Sequence, residues 1–122
     1  MMNQYNILII DNNPVFAKSL RNLISDVAEN ILTNIQCAYN AIDCRALIKE
    51  NDFHFIFWDV DMPDFQETWK YFNEIKRSVQ SKVIGITFHP EQQEWYKKNY
   101  SGISKYLTKD TIEPNCISKI LQ

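Results

Sequence analysis

Ile7-Leu8-Ile9-Ile10-Asp11-Asn12-Asn13-Pro14-Val15-Phe16 runs in ten residues from a wholly aliphatic stretch, through a polar step, to the start of a helix. Four aliphatic residues in a row bounded by polar ones read as a strand buried on both faces. Pro14 suits the first turn of a helix, where its missing N–H costs nothing. After it, Phe16, Leu20, Leu23, Ile24 and Val27 recur at offsets of 4, 7, 8 and 11, which is one helical face. A buried strand followed at once by an amphipathic helix is the unit of a parallel sheet, because parallel neighbours need a crossover between them.

The unit repeats. Ile35–Tyr39 reads as a second, weaker strand, with Asn40 as the N-cap of a helix through Leu47 and Ile48. Phe53–Trp58 is the third strand. A loop holding Met62-Pro63-Asp64 leads to a helix expected to bury Trp69, Phe72, Ile75 and Val79. Lys82–Thr87 is the fourth strand, in which Gly85 marks a place of close approach. Pro90 opens a helix carrying Trp95, Ser104–Leu107 is the fifth strand, and Ile117, Ile120 and Leu121 line the last helix. Five strand–helix units predict an α/β fold with helices on both faces of a parallel sheet. A chain of 122 residues has room for one such domain, residues 1–122.

Composition removes several classes of function. Thirteen basic against fifteen acidic side chains leave a net charge of −2, with no electrostatic footprint for nucleic acid or an anionic membrane. Residues 1–61 hold 4 basic and 8 acidic side chains and residues 62–122 hold 9 and 7, a skew too mild for DNA binding. The longest aliphatic or aromatic runs, Ile7–Ile10 and Phe55–Trp58, are four residues each, too short to span a bilayer or form a signal-peptide core. A soluble, cytoplasmic protein is expected. Only Gly85 and Gly102 are present, fewer than a dinucleotide fingerprint needs and without Walker A spacing. Cys37, Cys44 and Cys116 are odd in number with no CxxC, so reduced thiols are expected rather than zinc or a disulfide framework.

In open parallel sheets the working site lies outside the carboxyl ends of the strands. Strand one ends in Asp11-Asn12, strand three in Asp59 with Asp61 two residues on, and strand four in Thr87, while Lys109 follows strand five. Singly, each has a plain structural reading. Asp11 can shape a loop or cap a helix, Thr87 can be a β-branched strand residue, and Lys109 can be a solvated charge. Asp61 reads as a loop carboxylate whose backbone matters more than its side chain. Together they have a chemical logic. Clustered carboxylates with carbonyls and waters suit Mg²⁺, and a cation plus Lys109 can neutralise an approaching phosphoryl group. Asp59 can then act as the nucleophile and form an aspartyl phosphate, with Thr87 hydrogen-bonding a phosphoryl oxygen.

These stretches resemble the receiver domain of bacterial two-component response regulators. Ile7–Phe16 resembles that family's first strand and acidic pair, and Phe57-Trp58-Asp59-Val60-Asp61-Met62-Pro63-Asp64 its phosphoacceptor strand and loop. Ile84-Gly85-Ile86-Thr87 resembles the strand ending in the switch Thr, and Lys105-Tyr106-Leu107-Thr108-Lys109-Asp110 the switch aromatic and Lys. In style the sequence is similar to receivers joined to helix-turn-helix transcription factors of the LuxR/NarL type. The resemblance implies a flavodoxin-like (βα)5 three-layer sandwich with sheet order 2-1-3-4-5. It implies Asp59 as phosphoacceptor, with Thr87 and Lys109 on the phosphoryl group. Asp11, Asn12, Asp59 and the carbonyl of Asp61 are implied around Mg²⁺, and Thr87 and Tyr106 as the switch pair. The implied partner is a sensor histidine kinase or phosphotransfer protein, and the implied role is signalling, with catalysis limited to the domain's own phosphorylation and dephosphorylation. Homodimerisation through the helix 4/strand 5/helix 5 face is implied as well. A DNA-binding output domain beyond Gln122 would need about 60 further residues.

Five positions depart from the family pattern. Asn12 stands where a second acid is usual, which keeps a carbonyl oxygen but removes a charge and predicts weaker Mg²⁺ binding. Phe88 replaces a small residue beside the route to Asp59. Glu67 and Lys105 replace Gly, and Asp110 replaces Pro. An alternative therefore stands beside the phosphoacceptor reading: a pseudo-receiver that kept the fold as a phosphorylation-independent interaction or dimerisation module. An FMN-binding flavodoxin is disfavoured, because the first turn lacks a hydroxyl- and Gly-rich phosphate loop. Trp95, Tyr96 and Tyr100 form either an exposed partner patch or a packing layer beneath the fourth helix.

Overall fold

The apolar runs form one five-stranded parallel sheet. In the computed structural model, which describes residues 4–29, 31–75 and 77–122, the strands are β1 (Gln4–Ile10), β2 (Leu32–Ala38), β3 (Phe55–Asp59), β4 (Lys82–Thr87) and β5 (Ile103–Thr108). The helices are α1 (Pro14–Val27), α2 (Ala41–Glu50), α3 (Phe65–Glu74), α4 (Gln93–Asn99) and α5 (Pro114–Leu121). Strand order is β2-β1-β3-β4-β5, all parallel, as the five strand–helix units and the family resemblance require.

Two cores sit on opposite faces of the sheet, sorted by the two-residue alternation of strand side chains. Leu8, Ile10, Ile56, Trp58 and Val83 face Cys44, Ile48, Phe65, Trp69, Phe72 and Tyr96 from α2, α3 and α4. Ile7, Ile9, Phe55, Phe57, Ile84 and Ile86 face Ala17, Leu20 and Ile24 of α1 and Ile117, Ile120 and Leu121 of α5. Asn13 caps α1, its side chain accepting from the N–H groups of Val15 and Phe16, with Pro14 in the first turn. Asn40 caps α2 in the same way through the N–H of Asp43.

Several boundaries differ from the sequence reading. β2 starts three residues earlier and ends at Ala38, because it pairs with the whole of β1, Gln4 opposite Leu32 through Ile10 opposite Ala38. β3 begins at Phe55 rather than Phe53; Phe53 is buried ahead of the strand. α3 stops at Glu74, so Val79 lies beyond it. There Arg77 donates to the carbonyls of Phe72 and Ile75 and lays its guanidinium 3.8 Å from the centroid of the Phe72 ring, satisfying helix-end carbonyls that have no intrahelical partner. Among the described residues no helix is long and apolar enough to cross a membrane.

Gly85 does mark a close approach. It lies opposite Tyr106 in the β4–β5 pairing, and a Cβ there would sit 2.7 Å from two ring carbons of Tyr106. The absence of a side chain at Gly85 gives the Tyr106 ring its place.

Candidate functional site

Each side chain of the site is delivered by a strand end or by the turn after one. Asp11, the first residue beyond β1, is fully buried and anchored through its N–H to the carbonyl of Ala38. One of its oxygens, Oδ1, accepts from the N–H of Asn13 at 2.8 Å, tying the carboxylate to the cap of α1. Asp59 ends β3, and its Oδ1 accepts from the N–H of Asp61 at 2.9 Å. Lys109 opens a single 3₁₀ turn, Lys109–Thr111, after β5. Its ammonium lies 2.8 Å from Asp11 Oδ2 and 3.3 Å from Asp59 Oδ2. The closer contact is an ion pair out of hydrogen-bond alignment, since Asp11 Oδ2 has no aligned donor; the longer one is a hydrogen bond. The same ammonium sits 4.5 Å from the ring centre of Phe16 and 5.0 Å from that of Phe88, so two aromatic faces wall it in.

Two buried carboxylates facing one ammonium leave the pocket with an uncompensated negative charge. Burial pushes the Asp59 carboxyl above its ordinary value, and Asp11 adds to the rise, against the lowering effects of the Asp61 N–H and Lys109. Burial alone would lower the Lys109 ammonium, but its contacts with Asp11 and Asp59 outweigh that and hold it above its ordinary value. A second cation of hard, oxygen-seeking type fits this donor chemistry. Among the described residues no group of three His, Cys, Asp or Glu side chains is placed to share it. A cation held by Asp11 and Asp59 would draw its further ligands from uncharged oxygens.

The structure brings Asp11, Asp59 and Lys109 together, leaves Asn12 exposed at the rim, and takes Asp61 elsewhere. The Asp61 carboxylate accepts from Thr87 Oγ1 at 2.8 and 3.0 Å, from the N–H of Phe88 at 2.9 Å and from the Tyr96 hydroxyl at 2.7 Å. The side chain of Asp61 is thus fully engaged, which corrects the expectation that its backbone would matter more. Its carboxylate does not turn inward to make up for the missing acid at Asn12. Thr87 is fully buried and accepts at Oγ1 from the N–H of His89 at 2.9 Å.

Tyr106 is half-buried and stacks on Tyr96, ring centres 6.0 Å apart and planes 21° apart. Its hydroxyl has no partner among the described residues, and burial pushes it up to about 12. Of the three aromatics on α4 and at its C-cap, Tyr96 is buried, Tyr100 half-buried and packed on Phe65, and only Trp95, 55% exposed, looks outward. Phe88 is 56% exposed, with its ring centre 5.0 Å from the Lys109 ammonium. The link from Asp61 to Tyr96 has no sequence signal: the two are 35 residues apart, and nothing in the local pattern ties a loop acid to a helix tyrosine.

With this geometry in place, the comparisons agree. The family description "Response regulator receiver domain" matches residues 7–121, and this chain belongs to that family. The chemotaxis protein CheY-3 of two Vibrio cholerae serotype O1 strains is 25% identical over 105 residues, 84% of this chain and 78% of the relative. A CheY-like receiver domain from Methylobacillus flagellatus superposes with a TM-score of 0.78 at 17% identity, covering 100% of this chain and 98% of the other. The receiver domain of sensor histidine kinase PA1611 from Pseudomonas aeruginosa PAO1, solved with a magnesium ion in its active-site cleft, gives 0.80 at 16% identity, covering 98% and 95%. The two structures establish the shared fold. Receiver domains are signalling modules that work with histidine kinases or phosphotransfer proteins and bind Mg²⁺.

Proposed function

We propose that this chain is a working phosphoacceptor, with Asp59 as the residue that takes the phosphoryl group. The observation that supports this most is the buried Asp59 carboxylate held 3.3 Å from the buried Lys109 ammonium at the open end of the sheet. An Asp59 carboxylate oxygen attacks phosphorus. The bond from phosphorus to the donor's nitrogen or oxygen breaks, and the leaving group keeps its electron pair and takes up a proton. The N–H of Asp61 holds Oδ1 of Asp59, so Oδ2 is the oxygen free to attack once Lys109 shifts to the incoming phosphoryl oxygens. Asp11, Asp59, Asn12 and the Asp61 carbonyl would hold Mg²⁺, which when bound supplies positive charge against the phosphoryl oxygens. Thr87 donates its hydroxyl to a phosphoryl oxygen, and Tyr106 follows it.

The proposed donor is a sensor histidine kinase or phosphotransfer protein, and the proposed output face is α4–β5–α5, through which phosphorylation would drive homodimerisation. The similarity in style to LuxR/NarL-type receivers supports a DNA-binding output domain as the controlled element. A second reading, the pseudo-receiver, draws support from one feature: Thr87 already has a carboxylate to donate to.

Intact mass after incubation with acetyl phosphate, with and without Mg²⁺ and beside Asp59→Asn, tests the choice. One added phosphoryl group that requires both Mg²⁺ and Asp59 is the expected result. No adduct, with beryllofluoride also failing to bind at millimolar Mg²⁺, transfers the case to the pseudo-receiver.

A further inference from the structure

Thr87 has one hydroxyl proton, and it is committed. It points into the Asp61 carboxylate, shared between the two oxygens at 2.8 and 3.0 Å, while the hydroxyl lone pair accepts from the N–H of His89. The same carboxylate takes the N–H of Phe88 and the hydroxyl of Tyr96. Asp61 thereby joins the end of β4 to the buried face of α4 through a single anion. Tyr96 in turn carries the Tyr106 ring stacked on it, and Tyr106 fills the space above Gly85. The chain Thr87–Asp61–Tyr96–Tyr106 is contiguous, and its only charged member is Asp61.

We propose that Asp61 is an internal counter-ligand for Thr87: it occupies the hydroxyl that a phosphoryl group on Asp59 would need, and phosphorylation must break the Thr87–Asp61 bond and displace the carboxylate that also holds Phe88 and Tyr96, which loosens α4. This rests on the phosphoacceptor reading for the competing anion, but the latch itself is a property of the protein at rest. A carboxylate and a phosphoryl group are both acceptors and both negative, so they cannot share one hydroxyl proton. Whichever wins Thr87 excludes the other. In this arrangement the signal reaches α4 by loss of a hydrogen bond at Tyr96, and Tyr106, whose hydroxyl bonds to nothing among the described residues, moves as a consequence.

The test uses the whole chain with Asp61→Ala and, as the variant that keeps size and an acceptor, Asp61→Asn. The first readout needs no phosphate: amide hydrogen exchange at Phe88, whose N–H is held by Asp61 at 2.9 Å, and along α4. Exchange at Phe88 should rise at least tenfold in Asp61→Ala and less in Asp61→Asn. The second readout is beryllofluoride affinity at fixed Mg²⁺. Release of a charge-assisted hydrogen bond should tighten it about tenfold or more in Asp61→Ala. Wild-type protein saturated with beryllofluoride should show the same loss of protection at Phe88 as the variant. Unchanged Phe88 exchange in Asp61→Ala would overturn the latch. Equal beryllofluoride affinity in wild type and variant would overturn the competition alone, leaving the phosphoacceptor reading standing. Failure of every form to bind beryllofluoride would overturn the competition together with that reading.

Discussion

Gly85→Ala is the substitution whose cost the structure sets most directly. The added Cβ would sit 2.7 Å from Cδ1 and from Cε1 of Tyr106 and 3.3 Å from a methyl carbon of Ile103. Separations below 3 Å between carbons do not survive, so the ring must move. It cannot retreat through its stacked face, because that face packs on Tyr96, and Tyr96 is held by Asp61. Either the ring is squeezed, the usual overpacking cost of about 1–3 kcal/mol, or it swings outward and gives up the stack, about 0.5–1.5 kcal/mol beyond lost burial. Both routes predict a loss of about 1–3 kcal/mol, which for a domain of this size lowers Tm by roughly 3–15 °C. Urea and thermal melts of Gly85→Ala, Tyr106→Ala and the double variant form a cycle that isolates the clash. In the Tyr106→Ala background the glycine substitution should cost clearly less, because only the 3.3 Å approach to Ile103 remains to be relaxed. A cost that stays the same with and without the Tyr106 ring would refute the reasoning, because the penalty would then come from the strand and not from the contact.

Four further outcomes follow from the acidic pocket. Lys109→Met removes the ammonium from between two buried carboxylates, and denaturant melts at pH 7 should show a loss of about 3 kcal/mol, shrinking as pH falls through the raised Asp59 value; a loss that does not change with pH would contradict the pairing. Because burial and Asp11 raise the native Asp59 value above the ordinary 3.8, the folded state holds that proton more tightly than the unfolded chain. Metal-free stability should therefore fall as pH climbs from near 3.8 through the raised value, and Asp59→Asn should flatten that slope; an unaltered profile in the variant would refute the assignment. At the alkaline end, Lys109 is raised above 10.5, so its contribution is present below that value and is lost as pH rises through the native one. Asn12→Asp should tighten Mg²⁺ about tenfold, on the order of 1–2 kcal/mol for one exposed charge near a divalent ion, with a slight loss of metal-free stability; isothermal titration showing no change would mean that water or a backbone carbonyl already fills that position.

The fold was legible because its signals are local. Ile7–Ile10, Phe55–Trp58 and the i, i+4 spacing in α1 each report burial within a few residues, and alternation of strands with helices leaves few topologies open. Helix ends were less legible. α3 halts at Glu74 because Arg77 folds back on its carbonyls, a tertiary act that no run of apolar residues announces. The clustering of Asp11, Asp59 and Lys109 was readable from the rule that parallel strands deliver their ends to one rim. What the sequence could not supply was the direction of each side chain there. Asp61 lies two residues past the strand, where strand alternation no longer dictates direction, and its placement depends on Thr87, Phe88 and Tyr96 arriving from distant parts of the chain.

That choice can be argued from charge. Were Asp61 to face the pocket, three carboxylates would confront one ammonium, and burial already raises the Asp59 carboxyl with two. Turned toward β4, the same carboxylate meets three donors and no other acid: the Thr87 hydroxyl, the Phe88 N–H and the Tyr96 hydroxyl. Toward β4 the donors satisfy the carboxylate's lone pairs, whereas in the pocket it would meet like charge. The neutral Asn12 matters on the other side of the balance. It keeps the pocket at two carboxylates even though the loop acid has gone elsewhere, so cation binding must draw on uncharged oxygens. Asn12 and the outward turn of Asp61 thus act in the same direction, towards a pocket with little negative charge to spare and a Thr87 that an arriving phosphoryl group has to win from a rival already in place.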